Sequence, residues 1–177
     1  MTEETGQAAS LDALCSYFME LDSLKLVNRR TYIGAGERLE NSAEHSWHLA
    51  MACWAVARHF ELKVSEEKLL KLALVHDLGE IDAGDTFLYA SNRDTAHTAE
   101  RKCVARLTKH RGNPVAELAE LWEEQETGAS KETRLLKAVD RLLPFLHNIA
   151  SEGKTWRELG VKKTQSSLYL KCNHQPR

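Results

Sequence analysis

The chain has 177 residues and a mass of 20.0 kDa, a length typical of one domain. Its 42% hydrophobic and 28% charged residues are those of an ordinary globular protein and exclude collagen-like or disordered chains. The 24 basic and 26 acidic residues leave a net charge of −2, which disfavours nucleic acid as a partner because phosphate neutralisation needs an excess of basic groups.

The elements can be predicted in chain order from apolar residues that recur at helical spacing and from the residues that cap them. No segment shows a clean two-residue alternation, so we expect an all-α domain without internal repeats. The first predicted segments are a helix over about 11–25 after Ser10, a connector over 28–40, and a helix capped by Asn41, with Glu44 completing a capping box. A helix from Ser65 that ends or loosens at Gly79 follows, then a loop over 82–89 and a helix over 96–110. The last predicted segments are a helix opened by Asn113 and Pro114 and ending at Gly128, a helix from Ser130, and a short turn of helix over 155–159.

Composition and spacing also predict the compartment and part of the core. No apolar run approaches the roughly 18 residues of a membrane span, and the acidic first residues are unlike a signal peptide, so we expect a soluble cytoplasmic protein with no membrane partner. The four cysteines share no metal-binding spacing and are interpreted as reduced, mostly buried thiols: Cys15, Cys53, Cys103 and Cys172. Three tryptophans lie on apolar stripes and are predicted to be core residues: Trp47, Trp54 and Trp122.

Potential metal ligands fall in three of the predicted helices. His45 lies early in the second helix, the pair His76-Asp77 lies at the end of the third, and Asp140 lies in a late helix rich in leucine. An aspartate among apolar neighbours is costly to bury without a partner, so Asp140 either faces water or binds a ligand. His48 could be mistaken for a further ligand, but we interpret it as a histidine that packs beside the site.

The wider pattern resembles a known family. It consists of Glu44-His45-Ser46, then His76-Asp77-Leu78-Gly79-Glu80, then Gly84-Asp85, and finally Ala138-Val139-Asp140-Arg141-Leu142. In order and context it resembles the HD superfamily of metal-dependent phosphohydrolases, and within it the bacterial 5'-deoxynucleotidase branch, over roughly residues 11–148.

This resemblance implies a fold and a cofactor. The fold is a single HD-domain helical bundle over residues 1–177, with a core at about 11–150 and an uncertain tail after Gly160, and such proteins are commonly homodimers. The implied cofactor is one divalent metal ion held by His45, His76, Asp77 and Asp140. A mixed nitrogen and oxygen donor set suits Mn²⁺, Co²⁺, Fe²⁺, Ni²⁺ or Zn²⁺, with Mg²⁺ also open, better than Ca²⁺.

The resemblance further implies roles for two carboxylates and one arginine. Glu80 would accept or donate a proton and Asp85 would orient water or substrate, although they could also be a solvated helix-end residue and a turn residue. Arg30, fifteen residues before His45, stands where the deoxynucleotidases carry an arginine that would grip a phosphate bidentately. Arg29 could serve instead, and either arginine could simply be solvated.

The hypothesis from the sequence is a phosphomonoesterase that hydrolyses nucleoside 5'-monophosphates through a metal-activated water. The alternatives are an HD phosphodiesterase, a nucleotide pyrophosphohydrolase, or a module that senses a nucleotide without turnover. Glu80 and Asp85 favour an enzyme, because a sensor needs no proton-transfer carboxylates beside its ligands. Thr31 and Tyr32 replace the tryptophan that follows the family's arginine, which predicts a weaker preference for deoxyribose.

Overall fold

A computed structural model describes the backbone of residues 2–86 and 93–161, and the side chains of residues 10–86 and 96–161. Within these ranges the chain is mostly helical, as predicted, with one small antiparallel hairpin. The elements are α1 (Thr2–Asp22), β1 (Asn28–Ile33), β2 (Arg38–Asn41), α2 (Ser42–His59), α3 (Glu66–Val75), α4 (Glu80–Ala83), α5 (Arg93–Thr108), α6 (Leu118–Thr127), α7 (Lys131–Ala150) and α8 (Lys154–Glu158), with 3₁₀ turns at Ser23–Leu26 and Gly34–Gly36.

The connector predicted over residues 28–40 is a hairpin, so that prediction is wrong. β1 and β2 pair with Tyr32 opposite Leu39, and the register shifts between Asn28 and Tyr32. The strands are short and carry no apolar alternation, which is why periodicity did not reveal them. The hairpin is held from α8, where Thr155 donates a hydrogen bond to the carbonyl of Arg30.

The start of α2 agrees with the sequence. Asn41 Oδ1 accepts a hydrogen bond from the Glu44 backbone nitrogen at 2.9 Å, and the Glu44 carboxylate accepts one from the Asn41 nitrogen. Both bonds of the predicted capping box are therefore present, and they satisfy two backbone donors of the first turn. Because β2 ends at the same Asn41, the hairpin leads directly into α2.

The segment after α3 follows the prediction that the helix loosens near Gly79. α3 ends at Val75, residues 76–79 form a turn with right-handed backbone at His76 and Gly79, and α4 then begins at Glu80. A β-carbon at Gly79 would lie 2.6 Å from Cβ and 2.9 Å from Cα of Glu100 on α5. Glycine is therefore required there by the close approach of α5.

Several helix boundaries differ from the predicted ones. α1 begins at Thr2, so Ser10 is not its N-cap. α5 extends from Arg93 to Thr108. The loop predicted over 82–89 begins after Ala83, and residues 87–89 lie outside the described residues. α6 begins at Leu118, because the Asn113 side chain accepts a hydrogen bond from the nitrogen of Val115 and closes a local turn instead of capping a helix. Gly128 ends α6 in left-handed backbone and Ser130 caps α7, both as predicted.

The core has two parts that meet through α3. The first lies between α2, α3 and α7 and centres on these fully or nearly fully buried residues: Leu49, Cys53, Leu69, Leu72, Leu136, Val139 and Leu143. The second packs α1 and α5 against α3 and α6 and includes these: Tyr17, Leu24, Val75, Leu78, Cys103, Leu107 and Leu118. No helix among the described residues is long and apolar enough to cross a membrane.

Burial corrects two predictions about side chains. Trp122 is buried as expected, but Trp47 is 66% exposed and Trp54 is 39% exposed, so these two are not core residues. Cys53 and Cys103 are buried free thiols, whereas Cys15 is exposed and Cys172 lies outside the described residues. The apolar stripe of α2 is wider than the face its neighbours cover, and the sequence alone does not show which part of such a stripe is covered.

Candidate metal centre

Three helices bring the predicted ligands together. His45 lies in the second turn of α2, His76 lies directly after α3, and Asp140 lies in the middle of α7. One ligand atom from each lies within 4.8 Å of the other two. The first core part packs these same helices against one another, so the hydrophobic core determines where the three side chains meet.

The His76 ring presents one free nitrogen to this point. Its Nδ1 lies 2.8 Å from the carbonyl oxygen of Ala73, and since a carbonyl only accepts, Nδ1 must carry the proton. In the neutral ring Nε2 is then the unprotonated nitrogen, and it is buried without a well-aligned hydrogen bond, although Asp77 Oδ1 lies 3.1 Å away. The backbone carbonyl of His76 in turn accepts bonds from Trp122 and Gln125 of α6, which hold the end of α3 in place.

His45 faces a carboxylate on each side. Its Nε2 lies 2.9 Å from Asp140 Oδ1, and its Nδ1 lies 3.4 Å from Oε2 of Glu40 at the end of β2. Burial and Arg29 alone would lower the pKa of His45, but the carboxylates of Asp140 and Glu40 raise it to about 9. Carboxylates that face the outer nitrogen of a ligating histidine orient the ring and increase its basicity.

Asp77, the fourth predicted ligand, is shared between a histidine and an arginine. Its Oδ1 lies 3.1 Å from His76 Nε2, and its Oδ2 accepts a hydrogen bond from Arg29 Nη1 at 2.9 Å. Burial alone would raise the pKa of Asp77, but the adjacent His76 and Arg29 hold it below its ordinary value. Asp77 is therefore an anion beside the three converging ligand atoms.

Arg29, not Arg30, enters the site. The Arg29 side chain is 13% exposed and also lies 3.8 Å from Asp85 and 3.5 Å from Glu40. Burial alone would lower the pKa of Arg29, but the surrounding carboxylates raise it, so the guanidinium remains charged. Arg30 is exposed. Because successive residues of a strand point to opposite faces, only one of two adjacent arginines can face the site.

Glu80 and Asp85, the predicted proton-transfer carboxylates, both lie close to Arg29 and Asp77. Glu80 is 7% exposed and accepts a hydrogen bond of 2.6 Å from the hydroxyl of Ser42, the first residue of α2. Burial raises the pKa of Glu80 to about 9, and the charge of Asp77 acts in the same direction. Burial also raises the pKa of Asp85, whose carboxylate accepts a hydrogen bond from the Arg30 backbone.

Sequence reasoning missed two of the residues found here, Glu40 and Ser42. Both flank the predicted N-cap Asn41, so the chain that enters α2 places them beside His45. A signal was available for the hairpin that carries Glu40 and Arg29: Thr31, Tyr32 and Ile33 are strand-favouring residues, and they are followed by a turn with two glycines.

The arrangement fits a divalent cation. The converging donors are two imidazole nitrogens and one carboxylate oxygen, with Asp77 beside them, a mixed set that suits transition metals. His76 Nε2 is a buried nitrogen without a well-aligned hydrogen bond, and it could bind a cation. A cation would also reduce the negative charge that these carboxylates create around the guanidinium of Arg29.

Comparison with known proteins decides the family. The model of the HD domain matches residues 21–172. The chain belongs to the HD domain family. The resemblance to the HD family inferred from the sequence is thus confirmed.

Individual relatives are consistent with this assignment. The 5'-deoxynucleotidase HDDC2 of Danio rerio is 29% identical over 136 residues, which cover 75% of this chain and 66% of the relative. The 5'-deoxynucleotidase YfbR of Salmonella newport is 25% identical over 158 residues, which cover 84% of this chain and 79% of the relative. The chain therefore spans just under two thirds of the Danio rerio protein and more of the Salmonella one.

A solved structure supports the fold at higher identity. The crystal structure named as a predicted metal-dependent phosphohydrolase from Magnetospirillum magnetotacticum MS-1 superposes with a TM-score of 0.82 at 37% identity. The match covers 91% of this chain and 82% of that chain. The all-α HD domain predicted from the sequence is therefore confirmed, apart from the small hairpin.

Proposed function

We propose that this protein is a metal-dependent phosphomonoesterase that acts on nucleoside 5'-monophosphates. The observation that carries the proposal is that a cation-binding donor set, a buried guanidinium and a buried protonatable carboxylate lie beside one another. These are the three components that hydrolysis of a phosphate monoester requires: charge neutralisation, phosphate binding and proton transfer. The names of the relatives support the choice of a nucleotide substrate.

His45, His76, Asp77 and Asp140 would hold one divalent ion. Bound there, the ion would act as a Lewis acid on the phosphate and lower the pKa of a water molecule. Glu40 would orient His45 through Nδ1, and the Ala73 carbonyl already orients His76 through its Nδ1. The protein thus fixes the two rings from behind, which keeps the donor nitrogens directed into the pocket.

Arg29 would bind the phosphate. A guanidinium offers paired donors that match two oxygens of a phosphate, and Arg29 is held with little freedom between Asp77 and Asp85. A buried arginine already in position loses little entropy when the substrate binds, so its charge contributes efficiently to affinity. Arg30 remains outside this role because its side chain is exposed.

Glu80 would move the proton. In a phosphomonoester the leaving alkoxide must be protonated as the bond to phosphorus breaks, and a carboxyl group that carries a proton at neutral pH can supply it. The Ser42 hydroxyl fixes the orientation of the Glu80 carboxyl group, and Asp85 lies next to Arg29, where it can orient water or substrate. Both roles agree with those that the family resemblance implies.

We also propose a homodimer in a reducing cytoplasm. Six large apolar side chains remain exposed on two helices that pack together: Trp47, Met51 and Trp54 on α2, and Leu142, Leu146 and Ile149 on α7. Several exposed apolar side chains on neighbouring helices are typical of an interface between subunits. The free thiols of Cys53 and Cys103 are consistent with a reducing compartment.

A paired-variant experiment tests the enzymatic roles. Glu80→Gln should keep the bound metal but lose about 10² to 10⁴ in turnover, since proton transfer contributes that much. Asp140→Asn should lose the metal and the activity together. The assay follows inorganic phosphate released from nucleoside 5'-monophosphates, with metal content measured on the same samples. Equal metal loss in both variants would refute the assignment of Glu80.

The same assay separates the alternative functions. Turnover of phosphodiesters or of nucleoside triphosphates, without release of phosphate from monophosphates, would assign the pocket to a phosphodiesterase or pyrophosphohydrolase instead. Nucleotide binding without any turnover would make the protein a sensor. The buried Glu80 argues against a sensor, because burying an ionisable group costs free energy and binding alone does not require it.

A further inference from the structure

A second cluster of potential ligands lies next to the metal centre. It consists of Glu40, His48 and His147, and one ligand atom of each lies within 4.8 Å of the other two. None of the three belongs to the ligand set implied by the family resemblance, and the mechanism uses only Glu40, as a partner of His45. We propose that Glu40, His48 and His147 form a second binding site for a divalent transition cation, of the class that includes Zn²⁺.

The same two helices supply both clusters. On α2, His48 follows His45 by three residues, and on α7, His147 follows Asp140 by seven. Residues at these spacings lie on one face of a helix, one turn and two turns apart. Because α2 and α7 pack together, His48 and His147 face each other across the same interface as His45 and Asp140, further along the two helices.

Two atoms of the cluster are buried without a well-aligned hydrogen bond. Glu40 is 2% exposed, and its Oε2 makes only long contacts, of 3.4 Å to His45 Nδ1 and 3.5 Å to Arg29 Nε. His147 Nδ1 is likewise buried and unpaired. More than nine in ten buried polar groups in proteins have a partner, so two exceptions among three adjacent residues indicate a ligand that both would contact.

The donor chemistry agrees with a cation. The ring centroids of His48 and His147 lie 5.4 Å apart and the ring planes are 18° apart, so the two imidazoles are close neighbours. Two imidazole nitrogens and a carboxylate oxygen form a set typical of zinc, which leaves one position for water. Both histidines are partly exposed, which gives an ion access from solvent.

A cation in this cluster would also meet the charge of Glu40. That carboxylate is buried, and the guanidinium nearest to it, that of Arg29, is shared with Asp77 and Asp85. A cation on Glu40 would also connect the end of β2 to α2 and α7, and would hold the carboxylate that faces His45.

The test counts zinc ions on the full-length protein by equilibrium dialysis with elemental analysis, and it does not depend on phosphatase activity. The wild type should bind about two Zn²⁺ per chain. The double variant His48→Gln, His147→Gln should bind one, and the single variant His147→Gln should bind the second ion at least about 100-fold more weakly. The control is His59→Gln, since His59 is an exposed histidine of the same α2 helix, and it should still bind two.

The remaining measurements keep the result decisive if the double variant is unstable. Circular dichroism and thermal unfolding identify a misfolded sample. If the double variant is misfolded, zinc binding by His147→Gln is compared with zinc binding by the wild type. Uptake of only one Zn²⁺ by the wild type would overturn the proposal. Retention of two ions by correctly folded His147→Gln, with unchanged affinity, would overturn it as well, because the second ion would then lie elsewhere, for example on Glu80 and Asp85.

Discussion

Replacing Arg29 with glutamine should disable the pocket, whereas the same change at Arg30 should not. The two residues are neighbours in the sequence and chemically identical, so the pair isolates the effect of strand orientation. Arg29 is 13% exposed and contacts three carboxylates, whereas Arg30 is exposed and contributes its backbone to the site. Glutamine preserves much of the side-chain length and removes the charge.

The expected magnitude follows from the bonds that are lost. A hydrogen bond to a charged group contributes about 1.5–3 kcal/mol, so two bonds from a guanidinium to the phosphate contribute at least about 3 kcal/mol. At about 1.4 kcal/mol for each tenfold change, kcat/KM should fall at least about 100-fold in Arg29→Gln. Arg30→Gln should change kcat/KM by less than about threefold.

Stability should respond as well, in a way that depends on metal. Removing one partner of a buried ion pair costs about 3–5 kcal/mol, because the other charge is left buried. At roughly 2–4 °C for each kcal/mol, Arg29→Gln should lower the Tm by about 6 °C or more without metal. Added metal should recover part of this loss, since a cation compensates the carboxylates that Arg29 leaves unpaired.

The assay is phosphate release from a series of nucleoside 5'-monophosphates, combined with thermal unfolding with and without metal. A large loss of activity in Arg30→Gln, together with normal activity in Arg29→Gln, would refute the orientation of β1 and return the phosphate-binding role to Arg30.

Chelation should abolish activity and lower the Tm, because an ion that binds only the folded state stabilises it by about 4 kcal/mol at a concentration 1,000 times its Kd; an unchanged Tm would exclude a bound metal. Gly79→Ala should destabilise the fold by about 1–3 kcal/mol in thermal unfolding, because the added carbon would meet Glu100 at 2.6 Å, and wild-type stability would mean that α5 lies further away. The kcat/KM for a deoxyribose monophosphate should exceed that for the matched ribose monophosphate by less than about 100-fold, equivalent to about 2.7 kcal/mol, because Thr31 and Tyr32 replace the family's tryptophan. A larger preference for deoxyribose would assign sugar selection to another residue.

The tertiary contacts already constrain this last prediction. The hydroxyl of Tyr32 donates a hydrogen bond of 2.9 Å to Glu158, and the Lys154 ammonium lies 3.9 Å from the centre of its ring. Tyr32 is thus held against α8. Of the two hydroxyls that could contact a ribose 2'-OH, the one from Thr31 is the stronger candidate.

The helices and the metal-ligand candidates could be predicted from the sequence because their signals are local. The capping box of Asn41 and Glu44, the cap at Ser130 and the stop at Gly128 each depend on residues within one turn of each other, and all three are present. His45, His76 and Asp140 were found by their place in helices and by the family pattern, and the structure brings their ligand atoms within 4.8 Å.

What depends on contacts between distant segments had to come from the tertiary structure. The short strands of the hairpin are stabilised by pairing and by α8, so their own composition gives a weak signal, and the choice between Arg29 and Arg30 depends on that pairing. Whether an apolar residue such as Trp47 is covered depends on which helix packs over that part of α2. The approach of Glu40 to His45, and of His147 to His48, likewise exists only once β2, α2 and α7 have packed together.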